Sequence, residues 1–137
     1  MGHRMLSRTV AAIAASILGV AVGGGPARAE VTVTPDRVEQ GAAAKLTFRV
    51  TEDRAPAWTT RIELRMPEST PVAEIYPMSV PDWAPRITMR TTDRPLDGLH
   101  HGQTTEVVGS ITWTRAGRGS RPGAPADLTI SLGPMPR

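Results

Sequence analysis

The chain has 137 residues, with 16 basic and 13 acidic side chains, three histidines and no cysteine. The excess charge sits in Arg4, Arg8 and Arg28, and residues 30–137 carry 13 bases against 13 acids. That balance excludes a basic nucleic-acid footprint, and the missing cysteines exclude disulfide staples and thiolate chemistry.

Residues 1–29 read as an export leader. Arg4 and Arg8 form a charged start, Thr9–Gly23 a short apolar run, and Gly24–Ala29 a small-residue end closing on Ala27-Arg28-Ala29, an A-x-A cleavage pattern. The apolar run falls short of the roughly 20 residues that cross a bilayer comfortably. Cleavage is therefore expected to leave a soluble extracellular or cell-envelope protein with no transmembrane anchor. It starts at Glu30 and spans 30–137 as a single domain.

After Glu30 the pattern is one of short strands. Val31 and Val33 alternate with Thr32 and Thr34 until Pro35, and Gln40-Gly41 marks a turn. Leu46, Phe48 and Val50 alternate with Lys45, Thr47 and Arg49; Ile62, Leu64 and Met66 alternate with Arg61, Glu63 and Arg65, and Pro67 closes that run. Ile87 and Met89 alternate with Arg86, Thr88 and Arg90. Val107, Gly109, Ile111 and Trp113 alternate with Glu106, Val108, Ser110 and Thr112, and Leu128, Ile130 and Leu132 alternate with Thr129 and Ser131.

A period of two buries one face of each strand and wets the other. Successive runs of this kind with turn signals between them predict an all-β, antiparallel sandwich, and the 13 prolines oppose long helices. Leu46, Phe48, Ile62, Leu64, Ile111, Trp113 and Ile130 are expected inside. Trp83, in Pro81-Asp82-Trp83-Ala84-Pro85, is expected to cap the sandwich, and residues 116–126 to form a small-residue loop.

In this order and spacing, several segments carry a family resemblance. They are Val31–Pro35 (VTVTP), Leu46–Val50 (LTFRV), Thr59–Leu64 (TTRIEL) before Met66-Pro67, and Pro81-Asp82-Trp83. Thr105–Val108 (TEVV), Ser110–Thr114 (SITWT), Arg121-Pro122-Gly123 and Ser131–Pro136 (SLGPMP) follow. With the leader ahead of them, the chain resembles the YcnI-like family, the YcnI copper-binding domain also known as DUF1775. The resemblance implies an Ig-like or cupredoxin-like sandwich. It also implies extracytoplasmic Cu(II) binding in copper homeostasis, with other extracytoplasmic copper-handling proteins as partners.

The family site, as the resemblance implies it, combines the amine and imidazole of an N-terminal histidine with an acidic residue just after the second strand and a tryptophan near the C-terminus. Nitrogen and oxygen donors of this kind suit Cu(II), and an α-amine with a pKa near ~8 gives up its proton to copper readily. Here Glu30 stands where the family has histidine. The acidic position falls on Asp53, or on Glu52 with a shift of one residue. Family members continue past the SLGPMP-like stretch with a strand pair that carries the tryptophan, whereas this sequence stops at Arg137.

The expected metal ligands are thus Glu30, Glu52 and Asp53, forming a degenerate Cu(II) site that binds weakly or not at all. His100-His101 is the fallback pair. Adjacent strand residues point to opposite faces, so joint use of both imidazoles requires a loop. No arrangement of nucleophile and base indicates an enzyme. The alternatives are a metal-free binding or structural module, or a truncated family member.

Overall fold

A computed structural model of the protein describes residues 10–11, 20–22, 29–52, 59–117 and 124–137. The described residues form strands and connecting turns, with no helix. In chain order the strands are β1 (Val10–Ala11), β2 (Val20–Val22), β3 (Ala29–Thr34), β4 (Val38–Glu39) and β5 (Ala44–Glu52). They continue as β6 (Arg61–Arg65), β7 (Glu74–Pro77), β8 (Trp83–Asp97), β9 (Gln103–Arg115) and β10 (Ala126–Gly133).

Two four-stranded antiparallel sheets, β3-β5-β10-β7 and β2-β6-β9-β8, build the sandwich, and β1 pairs with β4. Alternation explains the core. Leu46, Phe48 and Val50 of β5 and Leu128, Ile130 and Leu132 of β10 join Ile62 and Leu64 of β6 and Ile111 and Trp113 of β9 in one buried cluster. All seven side chains expected inside are buried, none more than 3% exposed. Trp83 is also buried and closes one end of the sandwich, as a capping aromatic should.

Strict alternation fails in β8 and β9. Thr88 pairs with Ser110 but Met89 pairs with Val108, so Gly109 is an extra residue that bulges out of the ladder. Val107 and Val108 are consequently both buried. Arg90 lies over the bulge, where a Cβ on Gly109 would sit 3.4 Å from its Cγ and Cδ. Ile87 and Met89, whose pattern marks a buried face, are instead 42% and 52% exposed. The facing edge strand, β7, lies against β9. The inner face of β8 therefore runs past its cover.

β1 and β2 come from the segment read as a leader. Val20–Val22 pairs with Ile62–Leu64 at the outer side of β6, and Val10–Ala11 pairs with Val38–Glu39. Asp53 and Trp58 lie outside the described residues, as do residues 118–123 of the small-residue loop.

Candidate metal centre

Register decides what stands near Glu30. In the β3–β5 pairing Glu30 is the partner of Thr51 and Ala29 the partner of Glu52. The Thr51 hydroxyl donates a 3.5 Å hydrogen bond to the Glu30 carbonyl. The ladder thus holds residue 30 beside the last residues of β5, which lead directly into Asp53. Glu30 itself is exposed. On the same sheet Arg49 and Asp127 form a two-pronged ion pair, with 2.8 Å and 2.9 Å contacts, so those charges are already matched.

Trp83 and Arg115 pair at this same end of the sandwich. The Arg115 guanidinium lies 4.7 Å from the centre of the Trp83 ring, a cation–π arrangement. Its Nε also donates to the Thr59 carbonyl at 3.0 Å. The chain entering β6 is thereby tied to the end of β9.

His100 and His101 lie elsewhere. They sit in the Gly98–Gly102 bend that joins β8 to β9, closed by a 3.0 Å hydrogen bond from the Gly98 amide to the Gly102 carbonyl. This bend folds onto β7. There Glu74, on the first residue of that strand, is buried, with only 6% of its area exposed. A buried carboxylate must be matched or it is costly, and Glu74 is matched several times over. The amide of Leu99 donates to Oε2, the amide of His100 donates to the same oxygen at 3.0 Å, and the amide of His101 donates to Oε1 at 3.3 Å. The His101 Nδ1 lies 2.7 Å from Oε1, and the His100 Nδ1 lies 3.6 Å from Oε2. The Tyr76 hydroxyl completes the group, 3.5 Å from Glu74 Oε1 and 3.4 Å from the His101 Nδ1.

Burial acts to raise the Glu74 pKa. The hydrogen bonds from His101 and from the amides of His100 and Leu99, with the charge of His100, outweigh it and bring the value down to about 2. Glu74 is therefore ionised near neutrality. Burial and the Glu74 carboxylate in turn push the Tyr76 phenol upward. An ionised carboxylate only accepts hydrogen bonds. The short contact thus requires a His101 proton on Nδ1, and in the neutral imidazole the lone pair is then on Nε2.

The sequence-derived candidates occupy opposite ends of the sandwich. Glu30 pairs with Thr51 and Glu52 with Ala29 at the finish of β5, whereas Glu74 pairs with Gly133, next to the Leu132–Ala44 pair at the start of β5. At ~3.3 Å per strand residue the two ends are separated by roughly 25 Å, too far for one ion. Among the described residues no three His, Asp or Glu side chains converge as a metal-ligating group. Glu74 and Tyr76 carry no sequence signal of their own, because their partners lie about 25 residues further along the chain.

No curated protein and no solved structure matches the chain. A family model described as "Domain of unknown function (DUF1775)" matches residues 30–137. With the all-strand sandwich in place over that same span, the chain belongs to the DUF1775 family.

Proposed function

We propose that this protein is an exported Cu(II)-binding member of the YcnI-like kind, serving extracytoplasmic copper homeostasis through a degenerate site at its mature N-terminus. The observation that supports this most is the β3–β5 register, which keeps Glu30 beside Thr51 and the segment entering Asp53. Cleavage after Ala29 would free an α-amine on Glu30. Amine, carboxylate and the acid of Glu52 or Asp53 then provide a mixed nitrogen and oxygen donor set. Relative to a site with an N-terminal histidine one imidazole is missing. The affinity should therefore be lower by more than the ~10–100-fold that loss of an outer supporting group costs.

The proposed role is binding. The family match covers residues 30–137 and carries the assignment as far as membership; the copper role extends it.

Calorimetric titration of the secreted protein with Cu(II), beside its Glu30→His variant, tests the proposal. The variant should bind at least tenfold more tightly. Equal affinities would place the bound copper away from residue 30, and no binding by either would leave the sandwich as a metal-free interaction module.

A further inference from the structure

We propose that His100 and His101 form a second Cu(II) site at the opposite end of the sandwich, a two-imidazole site oriented by the buried Glu74. The objection that neighbouring residues point apart holds for a strand. These two lie in the Gly98–Gly102 bend, and both present Nδ1 to the same carboxylate, at 3.6 Å from His100 and 2.7 Å from His101. Their side chains are 73% and 78% exposed, whereas Glu74 beneath them is 6% exposed.

His101 has the arrangement that a metal-binding histidine uses. One ring nitrogen donates to a carboxylate, which fixes the tautomer and leaves the other nitrogen as a ligand. Here Glu74 holds the proton on Nδ1 of His101, so Nε2 is the free donor. Glu74 is the orienting group and stays out of the metal's ligand shell. Three backbone amides on the same carboxylate fix the loop before any metal arrives. Less ordering cost therefore remains at binding. Imidazole nitrogen is a favoured donor for Cu(II), and water fills the remaining positions.

The site stands apart from the proposed N-terminal one, and the test keeps them apart. The chain has three histidines, so His3→Ala in the full chain leaves His100 and His101 as the sole imidazoles. In that chain the Glu30 nitrogen is a peptide nitrogen, which removes the N-terminal donor set. Calorimetry with CuCl2 should show one equivalent bound. Electron paramagnetic resonance of the bound Cu(II) should show coupling to two imidazole nitrogens. Adding His100→Ala and His101→Ala together should abolish this binding, and either change alone should weaken it at least tenfold. Glu74→Gln should weaken it ~10–100-fold while circular dichroism stays that of a strand protein.

Undiminished binding by the double-alanine chain would overturn the site. So would a spectrum with one imidazole or none. A folded Glu74→Gln chain binding as tightly as its parent would overturn the orienting role of Glu74. If that variant fails to fold, the two single-histidine variants decide whether the site exists, because both side chains are exposed.

Discussion

At the scale of single residues, Glu74 is the most consequential side chain in the described structure. It ties β7 to the β8–β9 bend, remote in sequence, by accepting the amides of Leu99, His100 and His101. Its pKa falls from an ordinary 4.5 to about 2, so its charged form stabilises the fold. The sign follows directly. A carboxylate with a depressed native pKa contributes its full stabilisation above about 4.5 and loses it as the pH falls from there toward about 2. Urea midpoints measured across that range should decline for the parent, and Glu74→Gln should flatten the decline. Parallel curves for the two proteins would contradict this role. None of it was legible in the sequence. The histidine pair was visible as a donor pair, but an isolated glutamate in Ala73-Glu74-Ile75-Tyr76 looks like any strand-end acid. Its burial is created by a bend that arrives from 25 to 27 residues away.

At the scale of elements, period-two alternation identified β3, β5, β6, β8, β9 and β10, because each has at least two inward apolar residues separated by polar ones. It missed β7, which spans only Glu74–Pro77 and is defined by pairing with β10. The alternation of Ile87 and Met89 marks a face and says nothing of what covers that face, and both are exposed. Two substitutions test the element-level account. Phe48 is 3% exposed in the core of β5, and Phe48→Ala should cost ~3–5 kcal/mol in denaturant unfolding. That is a large share of the ~5–15 kcal/mol that holds an ordinary domain together, and a cost below ~1 kcal/mol would place the ring outside the core. Gly98 is the second position. A Cβ there would run into the backbone carbonyl of His101, so Gly98→Ala should open the β8–β9 bend. Amide hydrogen exchange at Leu99, His100 and His101 should then quicken while β5 and β10 stay protected. Unchanged exchange at those three amides would show that the bend tolerates the side chain.

At the scale of the whole molecule, the sandwich separates two chemically distinct ends. One carries the start of β3, the end of β5 and the Trp83–Arg115 stack; the other carries the β8–β9 bend clamped on Glu74. The sequence indicated the donors of both ends but not their separation, which follows from the register of β10 against β5 and β7. In the full chain, Val20–Val22 occupies the outer side of β6. Processing after Ala29 would take that strand away and leave the β6 edge to its charged residues Arg61, Glu63 and Arg65, a pattern that discourages edge-to-edge association. The intact mass of the secreted protein should correspond to a chain beginning at Glu30, and a mass that retains residues 1–29 would refute cleavage there. The central claim, copper held by the freed N-terminus, is tested most directly by blocking that amine. In secreted protein carrying His100→Ala and His101→Ala, calorimetric Cu(II) titration should show binding that N-terminal acetylation reduces at least tenfold; an unchanged isotherm after acetylation would contradict the claim.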